Sequence, residues 1–340
     1  MNLKVSYHLS VCMLLALTAC GCHSSHSSKS SESSESKATV TRGPSPFSPD
    51  SAYRYIEEQL SFGPRVPNST GHVKCGDYLY AKLGGYGLHM YDQRADLKAY
   101  DGTVLKSRNI IAAHNPEASR RILLFAHWDT RPVADQDPDR TRRDEPIPGA
   151  DDGGSGTAVL LEVARLLQAY PMKSIGVDIA LFDAEDYGAP EDANYDGDSS
   201  LTYALGTQHW TRNLHVKGYR PEFGILLDMV GAKDAKFYRE YFSQEYAGKH
   251  VSRIWDLAKS MGYGNYFINR MGSGVTDDHI FVIKNLGVPC VDIINYDPHS
   301  STGFGAYWHT QQDDIDIIDK ETLKAVGETL WQLLLELDHE

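Results

Sequence analysis

Apolar segments recur along this chain, and several run straight into a histidine or an acid. Ile122 to Ala126 leads into His127-Trp128-Asp129, Val177 to Phe182 into Asp183-Ala184-Glu185-Asp186, and Phe223 to Leu227 into Asp228. Segments of this length, rich in branched and aromatic residues, suit buried strands. Further strands are predicted at Gly87 to Leu97, Asn109 to Ala113 and Val288 to Ile294. Between them lie stretches with apolar residues three and four apart: Ala52 to Leu60, Val73 to Leu83, Thr157 to Gln168, Gln244 to Met261 and Lys320 to Leu337. Alternating strands and helices predict an α/β fold, a three-layer α/β/α sandwich around a mixed central sheet. In such sheets the polar residues just past the carboxyl ends of central strands collect in one crevice. The chemistry is therefore expected there.

The amino terminus reads as an address. Lys4, the apolar run Val11 to Leu17 and the small residues Thr18-Ala19 form a secretory signal over residues 1–19. Leu17-Thr18-Ala19-Cys20 resembles a bacterial lipobox, which makes Cys20 the expected lipidated first residue of a membrane-anchored lipoprotein, periplasmic or associated with the outer membrane. Residues 20–48 are Ser-rich with no apolar period and are expected to be a flexible tether. Residues 49–340 are then one catalytic domain. Val11 to Leu17 is the longest apolar run and is too short to span a bilayer. With 46 acidic against 33 basic side chains the 340-residue chain carries a formal charge of −13, which argues against a nucleic-acid partner. Of the cysteines beyond the signal and lipobox, Cys75 and Cys290 could pair or remain buried thiols, and the sequence leaves both open.

His127 with Asp129 two residues on offers a metal ligand and a carboxylate able to hold its ring. Gly149-Ala150-Asp151-Asp152-Gly153-Gly154 precedes a helix; Asp151 reads as a cap, whereas the glycines around Asp152 exceed what a cap needs. In Glu185-Asp186, adjacent carboxylates repel, which suggests one ligand and one general base. Asp277-Asp278-His279 and Tyr307-Trp308-His309-Thr310 complete the set. Mixed imidazole and carboxylate donors suit zinc with an open coordination position. Asp192 to Asp198 partly mimics a calcium loop, but Tyr203 stands where the closing Glu belongs.

Taken in order, Ala126 to Asp129, Gly149 to Gly153, Phe182 to Asp186, Leu226 to Gly231 and Trp308 to Thr310 resemble the zinc aminopeptidase clan, which includes bacterial leucyl aminopeptidases and the glutaminyl-peptide cyclotransferases. The paired acids before His279 and the Trp308-His309 step resemble the cyclases. That resemblance implies one zinc held by Asp152, Asp186 and His309, Glu185 as acid/base, Asp228 and Asp277 hydrogen-bonding around the reacting amide, and Trp308 walling the glutamine pocket. Its expected partners are peptides or proteins with an N-terminal glutamine, cyclised to pyroglutamate with loss of ammonia. Animal cyclases have Glu at the position of Asp186 and His at that of Asp292, and their disulfide beside the site is missing here, so the part played by Asp292 stays open. An aminopeptidase is the alternative reading, with a second zinc on His127, Asp152 and Asp228. A non-catalytic binding module on the same fold is the third.

Overall fold

The computed structural model describes residues 45–190 and 193–340. The signal, Cys20 and most of the tether lie outside the described residues. The tether was expected to reach Ser48, but the last residues before the first helix belong to the fold. Phe47 is buried and packs where a side chain on Gly327 would stand, and the Ser48 amide donates to the Glu162 carboxylate at 2.9 Å. Ser48 then caps helix α1 (Pro49–Leu60), whose Pro49 has no amide to leave unsatisfied in the first turn.

Helix α2 (Thr70–Gly85) leads into strands β1 (His89–Lys98) and β2 (Val104–His114), an antiparallel pair, with β3 (Arg121–His127) following. Helix α3 (Gly154–Ala169), β4 (Gly176–Phe182), α4 (Leu205–Arg212) and β5 (Phe223–Asp228) come next. A small parallel pair, β6 (Phe237–Arg239) and β7 (Phe267–Met271), flanks α5 (Tyr241–Ser260). Helix α6 (Asp278–Leu286), β8 (Cys290–Ile294) and α7 (Lys320–Asp338) end the chain.

The main sheet has the order β1-β2-β4-β3-β5-β8, with β4, β3, β5 and β8 mutually parallel and β1 and β2 antiparallel at one edge. The parallel strands are buried on both faces, which is why their sequences are continuously apolar rather than alternating. Edge strand β1 alternates instead and carries Asp92, Arg94, Asp96 and Lys98, charges that discourage pairing with another chain. One face of the sheet packs Ile122, Leu124, Ile179 and Ile225 against α1, α3 and α7. The other packs Leu123, Phe125, Phe182 and Leu226 against Trp210 of α4 and Val282 of α6. Each such buried side chain contributes about 2 kcal/mol. Cys75 sits in the first layer and Cys290 in the second, so the sheet separates them, and both are free buried thiols.

The connection from β3 to β4 moves to one side of β3, and the next parallel strand, β5, lies on its other side. That reversal opens a crevice at the carboxyl ends of β3 and β5. Among the described residues no helix is long and apolar enough to cross a membrane.

Candidate metal centre and active site

His127 ends β3 and Asp228 ends β5, so their side chains project from neighbouring strands into the crevice. Asp152 stands in the turn before α3, Glu185 and Asp186 in the loop after β4, Asp277 at the cap of α6, and Trp308 with His309 in the connection from β8 to α7. Six separate chain segments thus meet in one place. A cavity of 520 Å³ opens there, lined by Asp152, Glu185, Asp186, Asp228, Asp277 and His309, with Trp308 as one wall. The Trp308 ring stacks on His309, 3.6 Å between centroids.

Two ligand groups share Asp152. His309 Nε2 lies 3.3 Å from Asp186 Oδ1 and 3.7 Å from Asp152 Oδ2. His127 Nε2 lies 3.1 Å from Asp152 Oδ1 and 3.3 Å from Asp228 Oδ1. Donors bonded to one tetrahedral zinc at 2.0–2.2 Å stand roughly 3.3–3.6 Å apart, so both spacings suit the ion. The other Asp186 oxygen, Oδ2, is buried with no hydrogen-bond partner, so protein donors do not saturate this carboxylate. Nitrogen and carboxylate donors in this number fit zinc.

The backbone around these ligands is held from behind. Gly153 has φ +81°, and a Cβ there would stand 2.4 Å from the Asp129 carbonyl, so the turn that presents Asp152 requires glycine. The Asp313 carboxylate accepts from the amides of Asp151 and Asp152 at 2.7 and 3.1 Å, and the buried Arg65 grips the Pro148 and Gly149 carbonyls at 2.6 Å each. Asp151 differs from its expected role as a cap. Gly153 occupies the cap position of α3, while the Asp151 carboxylate accepts from the Gly231 amide at 2.6 Å and the Tyr307 hydroxyl at 2.5 Å. Asp129 also differs from expectation. Its Oδ1 is 3.6 Å from His127 Nδ1, and its hydrogen bonds come from the amides of Glu185 and Asp186, at 3.1 and 3.2 Å. It shapes the loop that carries the proposed base more than it steers the imidazole.

Burial of so many acids shifts their proton affinity. The Glu185 carboxyl is pushed well above the ordinary carboxylate range by loss of water, with His127 pulling the other way and Asp277 and Asp186 repelling. Burial lifts Asp277 to about 7, with repulsion from Asp228 next, and lifts Asp228 to about 6 against the pull of His127. Asp152 moves down despite burial, because His127 bonds to it. The acids of the pocket thus differ in proton affinity, with Asp152 shifted down and Glu185, Asp228 and Asp277 shifted up.

Behind the pocket lies a second layer, whose His279 and Asp292 the sequence singled out without assigning either a role. His279 is fully buried, with Nε2 3.3 Å from Glu240 Oε2 and Nδ1 3.6 Å from Asp292 Oδ2, and Asp277, His279 and Asp292 form a third cluster of possible ligands. Asp292 therefore sits behind Asp277 rather than in the pocket lining. A charged residue inside the apolar run of β8 was the available signal. Arg131 and Asp135 were missed. In the stretch that partly mimics a calcium loop, Asp192 lies outside the described residues; among the described residues, Asn194 to Asp198 join none of the three clusters, and the Asp198 carboxylate accepts from the Ser200 amide.

A mixed α/β sheet with buried His/Asp ligand groups and a glutamate at its strand ends defines a metal-dependent enzyme. The chain belongs to Peptidase family M28, whose profile matches residues 109–334. Among solved structures, a Tannerella forsythia glutaminyl cyclase is 54% identical with a TM-score of 0.82, covering 85% of this chain and 98% of that one. A Zn-dependent exopeptidase from Parabacteroides distasonis ATCC 8503 is 52% identical with a TM-score of 0.83, over the same shares. The Glutaminyl-peptide cyclotransferase of Bos taurus is 27% identical over 256 residues, 68% of this chain, and this chain spans just under two thirds, 66%, of that protein.

Proposed function

We propose that this chain is a glutaminyl-peptide cyclotransferase that holds one zinc ion on Asp152, Asp186 and His309. The observation that carries the reading is the Trp308 ring stacked on His309 in the same cavity that Glu185, Asp228 and Asp277 line. A flat aromatic face beside the metal centre suits a planar carboxamide, and the acids of that cavity suit its amine and its departing nitrogen. The similarity to the Tannerella forsythia glutaminyl cyclase supports it.

Bound to that triad, zinc supplies a Lewis acid that polarises the side-chain carboxamide oxygen of an N-terminal glutamine. Glu185 takes the proton that the α-amine loses as its nitrogen bonds to the amide carbon, and delivers it to the nitrogen that leaves as ammonia. A carboxyl lifted by burial lies closer to the amine in proton affinity and can both accept and return the proton. Asp228 and Asp277 hydrogen-bond around the amide nitrogen. Trp308 presses the glutamine into the folded conformer from which the five-membered ring closes, so most of the work is positioning.

The intact His127, Asp152 and Asp228 group and the Parabacteroides distasonis neighbour favour an aminopeptidase as the second reading, with two zincs and an activated water. Incubating the purified domain with a peptide beginning Gln-Ala separates the two: loss of ammonia with every residue retained supports the cyclase, and free glutamine supports the peptidase. Residues 1–19 are in this reading an export signal, Cys20 the lipid anchor and residues 49–340 the catalytic domain. Replacing Cys20→Ser should move the protein from the membrane fraction to the soluble one, and unchanged fractionation would refute the anchor.

A further inference from the structure

Arg131 stands in the connection that follows β3, and its side chain is fully buried. Its Nε and Nη2 donate to the two oxygens of Asp135 at 2.7 and 2.9 Å, a two-pronged guanidinium–carboxylate pair. The remaining Nη1 turns the other way, 3.1 Å from the Asp186 carbonyl and 3.3 Å from Asp186 Oδ1. Asp135 Oδ1 in turn lies 3.3 Å from His309 Nδ1. A single pair of side chains therefore touches two of the three residues in the Asp152, Asp186 and His309 group.

We infer that Arg131 and Asp135 are positioning residues that brace Asp186 and His309 for the metal. The inference rests on the zinc reading above. The Asp135 carboxylate, 3.3 Å from Nδ1 though not aligned for a hydrogen bond, favours the ring proton on that nitrogen and so leaves the lone pair on Nε2, which faces Asp186 and Asp152. His309 has a backbone φ of +54°, an uncommon conformation for a residue with a Cβ, which the surrounding structure must hold. Asp186 is a short ligand, and Arg131 bonds both its carbonyl and Oδ1 while leaving Oδ2 without a protein partner. The aromatic ring of Tyr203, 5.6 Å from the guanidinium carbon, covers the face of Arg131 and keeps it in place. Among the described residues no guanidinium–carboxylate pair touches the other group, and the acid beside His127 Nδ1 is Asp129, at 3.6 Å.

The test compares the parent domain with Asp135→Asn, Arg131→Lys and Asp135→Glu. Zinc affinity is measured by competition with a chromophoric chelator, and melting temperature is measured for chelator-stripped and zinc-loaded protein. The expected result is that Asp135→Asn and Arg131→Lys weaken zinc binding about 10- to 100-fold, with Asp135→Glu recovering part of it. The rise in melting temperature on adding zinc should shrink while the stripped proteins melt within a few degrees of the parent. Zinc affinity equal to the parent's in any folded variant of the first two overturns the brace, as does an equal fall in melting temperature with and without zinc. Arg131→Lys keeps the charge, so it stands as the second probe if Asp135→Asn does not fold. A parent that binds no zinc sinks both the brace and the metal reading. A parent that binds zinc without forming pyroglutamate sinks the cyclase reading alone.

Discussion

The two ligand groups that meet at Asp152 have the same composition, one histidine and two aspartates, and different surroundings. On one side, His309 and Asp186 are tied to Arg131 and Asp135, and an oxygen of Asp186 is left without a partner. On the other, His127 shares its Nε2 between Asp152 and Asp228, and burial lifts Asp228 to about 6. A buried guanidinium bonds the carbonyl and one carboxylate oxygen of Asp186 in the first group. In the second, among the described residues, no guanidinium touches the ligands, and burial raises Asp228 against the pull of His127 alone. Ligand identity alone therefore does not decide where a metal sits; the groups behind the ligands do.

The strongest way to break this contrast is His309→Ala. Zinc content measured by elemental analysis should fall to background and turnover by about 10⁴-fold, since a Lewis acid contributes several kcal/mol to a transition state. Retained stoichiometric zinc in that variant would mean that the ion belongs to the His127 side. Glu185→Gln comes next, with kcat down about 10²- to 10³-fold and zinc still bound, because the amide keeps the shape and loses only the proton. His127→Ala sharpens the comparison from the other side. If the second group is a proton-holding support, activity drops less than about tenfold, and zinc per chain is unchanged from the parent; a two-metal peptidase would lose one ion.

The smallest effect concerns pH. Asp277 and Asp228 are raised from 3.8 to about 7 and about 6, and burial raises Asp278, Asp292 and Asp313 further. Folded, zinc-free protein thus holds these protons more tightly than the unfolded chain. The stability they contribute is complete below about pH 4 and is lost as pH rises through 6 and 7. Thermal melts of stripped protein should accordingly give a lower midpoint at pH 8 than at pH 5, and Asp277→Asn should flatten that slope. A midpoint that climbs over this range would show that the acids ionise freely in the fold.

Much of the architecture was legible because buried parallel strands must be apolar throughout. Ile122 to Ala126 and Val177 to Phe182 announced β3 and β4 to within a residue or two. Helix α4 escaped notice because Leu205–Arg212 is short and polar, and α6 because its first turn, Asp278 and His279, looked like site chemistry rather than helix. The inner ligands were legible since each follows an apolar run or sits among glycines. Arg131, Asp135 and Asp313 were not, because they lie in irregular connections where a charged residue is unremarkable until its neighbours are known. Asp151 and Asp129 were noticed for the wrong reason, since their partners, Gly231, Tyr307 and the Glu185 and Asp186 amides, are remote in sequence.

What the sequence determined was local: which segments are apolar enough to be strands, and which polar residues stand at their ends. Period and composition act over a few residues and need no tertiary information. What only the tertiary structure decided was the pairing of charges across the crevice, Arg131 with Asp186, Asp135 with His309, His127 with Asp152 and Asp228. Those pairings depend on ångström-scale distances between residues far apart in the chain, and electrostatic coupling in a dry interior turns such distances into proton and metal affinity.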